Sequence, residues 1–118
     1  LGEGSTSVGE TLFLNCVLQY NDYGYNAAGN GNTLNIRFVN TSAGHNTKGG
    51  VFLNAGSGAT HLTGGGFDSN GTAGDAITGD ILLSLGWNGT VHIQGCRFEV
   101  GNGTTDTFRG GVINTGAI

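Results

Sequence analysis

The chain has 118 residues, one domain's worth or a piece of a domain, with a net charge of −4 and only 10% charged residues. Its four basic residues, Arg37, Lys48, Arg97 and Arg109, cannot build the cationic patch that nucleic acid demands. No stretch approaches the roughly 20 apolar residues of a membrane-spanning helix.

Taken in chain order, residues 1–8 are small and polar and read as an N-terminal extension. From Gly9 onward the same parts return in the same order. A Gly/Thr turn opens each copy: Gly9-Glu10-Thr11, Gly31-Asn32-Thr33, Gly58-Ala59-Thr60 and Gly89-Thr90. An alternating apolar stretch follows, then a Phe, a polar Asn-rich turn, and a Gly-initiated apolar run such as Gly49-Gly50-Val51, Gly79-Asp80-Ile81 or Gly110-Gly111-Val112. These landmarks divide residues 9–118 into coils near 9–30, 31–57, 58–88 and 89–118. Repeats of this length signify stacked supersecondary units.

Each unit reads as strands. In Thr11-Leu12-Phe13-Leu14-Asn15-Cys16 and Thr90-Val91-His92-Ile93-Gln94, apolar residues recur at every second position. Residues 49–54 read as a second strand, and a third short one fits the variable remainder. There are 25 Gly, 13 Asn and 14 Thr but no Pro, so no backbone donor is forfeited and sharp corners are easily made. The 36% hydrophobic content, regularly spaced, argues against disorder. The expectation is an all-β, right-handed parallel β-helix (β-solenoid) of about four coils, uncapped. Leu18, Phe38, Phe67 and Phe98 are expected in one inward column, and Val51, Ile81 and Val112 in another.

Leu62-Thr63-Gly64-Gly65-Gly66-Phe67-Asp68-Ser69-Asn70 followed by Gly79-Asp80-Ile81 resembles the Phe-x-x-Asn plus Gly-Gly-Ala/Ile repeat of polymorphic outer-membrane proteins and related adhesin-type β-helix surface proteins. Gly110-Gly111-Val112-Ile113-Asn114 is similar to its second half. Phe38-Val39-Asn40 and Phe98-Glu99-Val100-Gly101-Asn102 depart from the spacing. The resemblance implies a surface-exposed solenoid and says more about architecture than about activity.

Sites for chemistry are few. Asp68 and Glu99 each follow a Phe and should stack outward on neighbouring coils, either as a glycosidase-like pair or as solvated carboxylates beside Arg97, the reading preferred here. Asp75 and Asp80 flank a turn and suit local hydrogen bonding better than a cation. His61 and His92 occupy matching positions, but two ligands without a third are a weak metal signal. His45 falls in a corner. Gly64-Gly65-Gly66 reads as close backbone packing or a bulge within a strand. Tyr20, Tyr23 and Tyr25 suit either carbohydrate stacking or packing. Asn40, Asn70, Asn88 and Asn102 head Asn-x-Ser/Thr sequons, and as corner residues they read as turns first and as exposed glycosylation sites second. No catalytic, cofactor-binding or metal residue is assigned, and no cofactor is expected.

Cys16 and Cys96 sit at equivalent points of the first and last coils. Within one molecule three coil spacings, about 14 Å, separate them, too far for a disulfide. They read as two buried free thiols, or, if molecules stack head to tail, as neighbours within bonding range across the junction. The pattern carries no cap and stops in mid-repeat, so bare strand edges are expected to pair. The function expected is a non-enzymatic extracellular or cell-surface role, as a subunit of a filament or surface fibre whose partner is another copy of itself, with carbohydrate or a host surface as a further partner. An adhesin passenger segment is the first alternative. A fragment of a polysaccharide-degrading β-helix enzyme or phage tailspike is the second.

Overall fold

The structure, a computed structural model, describes residues 9–27, 35–71 and 79–99, together with the backbone of 112–114. Strands β1 (Thr11–Leu14), β2 (Val17–Gln19) and β3 (Tyr23–Ala27) form the first tier; β4 (Ile36–Val39), β5 (Ser42–Gly44) and β6 (Gly49–Gly56) form the second. The third tier is β7 (Ala59–Thr63), β8 (Gly66–Asp68) and β9 (Gly79–Trp87), and the fourth is β10 (Thr90–Gln94), β11 (Arg97–Glu99) and β12 (Val112–Asn114). No helix occurs among the described residues, so no helix is long and apolar enough to cross a membrane.

All pairings are parallel and fall into three sheets, ordered β1-β4-β7-β10, β2-β5-β8-β11 and β3-β6-β9-β12. Each strand from β1 to β9 therefore pairs with the third strand after it, an arrangement compatible with a β-solenoid. The ladders run on through the corners. The Asn40 N–H donates to Thr63 O at 2.8 Å, and Gly64 N–H donates to Gln94 O at 2.8 Å. A backbone without proline meets this demand at every step.

Alternation decides which side chains fill the interior. In β4, Ile36 and Phe38 are buried while Arg37 is exposed; in β7, Thr60 and Leu62 are buried and Thr63 is exposed. Phe13 stacks on Phe38 with ring centroids 4.9 Å apart, Tyr25 meets both edge-on, and Phe67 stacks on Phe98 at 5.2 Å. Val51, Leu53, Ile81 and Trp87 complete the core. Each such side chain contributes roughly 1.5–3 kcal/mol by leaving water.

The register corrects one expected column. Leu18 pairs with Ala43, Ala43 with Phe67, and Phe67 with Phe98. Phe38 belongs instead to the first sheet, between Phe13 and Leu62. The reason is the corner that follows it: Asn40-Thr41 comes after Phe38, whereas Gly64-Gly65 and Gly95-Cys96 come before Phe67 and Phe98. In the other column Val51 pairs with Ile81, and Ile81 with the backbone of Val112. The register also pairs Thr11 with Ile36 and Ile36 with Thr60, so the tiers align by strand rather than by opener. The opener Gly31-Asn32-Thr33 lies outside the described residues.

Two corners are built from columns of left-handed residues. The first carries Asn15, Asn40, Gly64 and Gly95, with φ of 52°, 47°, 67° and 65°. The second carries Tyr20, His45 and Ser69, with φ of 59°, 53° and 54°. Such a backbone costs an L-residue about 1–2 kcal/mol, least for Asn, and the surrounding ladders hold it in place. The triglycine thus divides, Gly64 and Gly65 turning the corner and Gly66 starting β8. Gly65 has φ +84°, and a Cβ there would land on the Thr41 carbonyl, so no larger residue fits.

Candidate functional site

The second corner leads into a buried polar ladder. Asn21, Asn46 and Asn70 follow the three left-handed residues in successive tiers. Asn46 Nδ2 donates to Leu18 O at 3.0 Å and to Asn70 Oδ1 at 2.8 Å. Asn70 Nδ2 donates to Ala43 O at 2.9 Å and to Asp80 Oδ1 at 2.8 Å. The Asn21 and Asn46 backbone N–H groups donate to the side-chain oxygens of Asn46 and Asn70. Asn70 is 1% exposed, so the folded chain does not offer it as a glycosylation site. Asn40 and Asn88 are exposed, and Asn102 lies outside the described residues, as does Asp75. Asp80, also buried, receives the ladder rather than facing a turn.

The first corner holds both cysteines. Val17, Ser42, Gly66 and Arg97 are register partners, which places Cys16, Thr41, Gly65 and Cys96 in one column immediately before them. Thr41 Oγ1 accepts the Cys16 N–H at 3.3 Å and lies 3.1 Å from Phe13 O and 3.2 Å from Val39 O, its proton going to one of them. The thiols repeat this bonding. Cys16 Sγ donates toward Leu14 O at 3.4 Å, and Cys96 Sγ lies 3.1 Å from Gly64 O and 3.5 Å from Leu62 O. Both cysteines are free, and partial burial raises the Cys96 thiol pKa.

The outward face of the second sheet forms a trough of about 260 Å³. Ser42, Gly44 and Gly66 lie at its base, the two glycines buried beneath Gln19 and Arg97, with Val17 and Asp68 beside them. Asp68 pairs with Glu99 in register, which places the two carboxylates on adjacent strands. Asp68 accepts from Ser69 Oγ at 2.7 Å and has His45 Nε2 3.8 Å away; Glu99 faces Arg97 at 3.4 Å. Tyr20 and His45 stand beside the trough as a parallel stack 5.5 Å apart. Gln19, Ser42, Gly44 and His45 carry no motif in the sequence; only the register brings them together.

The three tyrosines do not share a face. Tyr25 is inward, Tyr20 is 78% exposed, and Tyr23 lies on Phe52 with Lys48 near its ring. His61 and His92 pair on the outer face of the first sheet as stacked rings 4.6 Å apart, and among the described residues no three His, Cys, Asp or Glu side chains gather to hold a metal.

At the two ends, inward side chains are only partly covered. Phe13, Leu18 and Tyr25 are half-buried in the first tier, as are Val91, Cys96 and Phe98 in the fourth, where Ile93 is 38% exposed. Among the described residues, no strand pairs the outer edges of β1, β2 and β3 or of β10 and β11. No protein-family model, curated protein or solved structure matches the chain.

Proposed function

We propose that the chain is a right-handed parallel β-helix of four coils that works as a non-enzymatic extracellular structural subunit, stacking end to end with copies of itself into a filament or surface fibre. The observation that carries this reading is the match between the two end tiers. Continuing each column across a junction sets Ile93 against Phe13, Phe98 against Leu18 and Cys96 against Cys16 of the next copy. Apolar Ile93 and Phe98 thus meet apolar Phe13 and Leu18, and the edges left unpaired among the described residues gain ladder partners. The right-handed winding follows the strong chiral preference of parallel connections.

The junction also accommodates the cysteines. One strand spacing of about 4.8 Å lies within the Cα range of a disulfide. Where the thiols stay reduced, Cys16 of the next copy takes the place that Thr41 holds beside Cys16. The test is sedimentation of the purified chain. The wild type is expected to form concentration-dependent polymers, and Ile93→Lys, which places a charge on the junction, is expected to remain monomeric while keeping its β-rich circular dichroism. A wild type that stays monomeric at millimolar concentration overturns the reading.

A further inference from the structure

We propose that Asn88-Gly89, at the corner between β9 and β10, is a self-modifying site where the folded chain converts asparagine to aspartate and isoaspartate, while the same Asn-Gly-Thr sequence at Asn70 is shielded. The reaction consumes only water. The Gly89 backbone nitrogen bonds to Asn88 Cγ, the Cγ–Nδ2 bond breaks, and ammonia leaves carrying the Gly89 amide proton. Water then opens the resulting succinimide at either carbonyl, giving aspartate or, with one more methylene in the backbone, isoaspartate. Glycine as the second residue leaves the attacking nitrogen unhindered.

The two sites differ in every group the reaction uses. Asn88 is exposed, and among the described residues its side-chain amide has no hydrogen-bond partner. The Asn88 N–H donates to Gly56 O at 3.0 Å and the Thr90 N–H to Gly58 O at 2.8 Å, whereas the Gly89 N–H between them has no partner among the described residues. Asn70 is 1% exposed. Its Nδ2, the leaving nitrogen, is held by Ala43 O at 2.9 Å and Asp80 Oδ1 at 2.8 Å, and its Oδ1 accepts from Asn46. The Gly71 N–H, the nucleophile at that site, donates to Asn46 O at 2.7 Å. Cyclisation at Asn70 must therefore break the buried ladder first.

Packing keeps the reactive pair in place. A Cβ at residue 89 would collide with Gly58 O and lie 2.7 Å from Trp87 Cζ2, so the corner demands glycine after Asn88. The ladder also sets the consequence. Isoaspartate inserts its methylene between two anchored N–H groups and displaces β10 from β7, beside Trp87, the chain's one tryptophan and 1% exposed. Aspartate adds only an exposed charge, which a surface corner tolerates.

The test is incubation of the chain in mildly alkaline buffer, folded and in urea, followed by peptide mapping of amide-to-acid conversion with separation of the aspartyl and isoaspartyl forms. In the folded chain Asn88 is expected to convert roughly tenfold or more faster than Asn70, and in urea the two rates should converge, because only local opening separates them. The isoaspartyl fraction should melt lower and shift Trp87 emission to the red, whereas Asn88→Asp should melt like the wild type. Asn88→Gln, whose longer side chain cyclises far more slowly, should block conversion at this corner without a fall in melting temperature. The proposal is overturned if folded Asn88 keeps its amide as long as Asn70 does, if folded Asn70 converts as fast as Asn88, or if the rates stay apart in urea.

Discussion

Asn46 Nδ2 donates to Asn70 Oδ1 across 2.8 Å, and both amides are buried between the second and third sheets. The pair satisfies backbone groups that the corner would otherwise leave without partners. Asn70→Ala removes the acceptor for two Asn46 donors and the donor to Ala43 O and Asp80. Each buried group left unpaired costs roughly 1–3 kcal/mol, so the loss should reach about 3 kcal/mol or more. Asn21→Ala, at the exposed start of the ladder, should cost well under about 1 kcal/mol. Urea denaturation of the two variants checks the contrast, and equal losses would contradict the ladder.

The first corner makes a second comparison possible. Gly64 and Gly65 are neighbours with left-handed backbones, but only Gly65 lies against another tier's carbonyl. Gly64→Asn restores the residue type that Asn15 and Asn40 already place in this column, and should change stability by less than about 1 kcal/mol. Gly65→Ala should cost about 2–4 kcal/mol, because the Thr41 peptide must move and its ladder bonds with it. Melting temperatures of the two variants decide it.

The strands were legible because alternation is a direct consequence of burial on one face; Ile36 and Phe38, or Thr60 and Leu62, announce themselves. Column membership was less so. Phe38 and Phe67 look equivalent in sequence, and only the position of the corner, before one and after the other, assigns them to different sheets. Ala43 gave no signal, since a small inward residue reads like any other alanine. Corners that use Tyr20, His45 and Ser69 in left-handed conformations cannot be read from residue type, because long-range ladders impose them. Asn70 looked like an exposed turn for the same reason: Asp80 and the neighbouring tier, distant in sequence, bury it. The trough draws one or two residues from each strand of a sheet, so no local motif marks it.

Ala43 offers a packing test of the corrected column. Its side chain is buried beside Gly24, where a hypothetical Cβ would meet the Ala43 Cβ at 3.2 Å. Ala43→Leu should therefore cost about 1–3 kcal/mol by overpacking, although leucine and phenylalanine occupy the same column in other tiers. Phe38→Ala should cost about 3–5 kcal/mol, since it unstacks Phe13 and opens the space beneath Tyr25. Chemical denaturation measures both.

The Cys96 thiol should titrate late. Burial disfavours the thiolate, so its folded pKa lies above the unfolded value. The stability this represents is fully present below the unfolded pKa and is lost as pH rises through the folded one. In Cys16→Ser, the iodoacetamide alkylation rate should rise with pH along a curve displaced to higher pH than for the same chain in urea. A coincident or lower midpoint would contradict the assignment of Cys96 to the corner column.

End-to-end stacking makes the most exposed claim, and electron microscopy of the purified chain tests it most directly. Four coils about 4.8 Å apart per subunit should give unbranched fibres with an axial rise near 19 Å. Discrete particles of one subunit's size at every concentration, with no fibres, would contradict it.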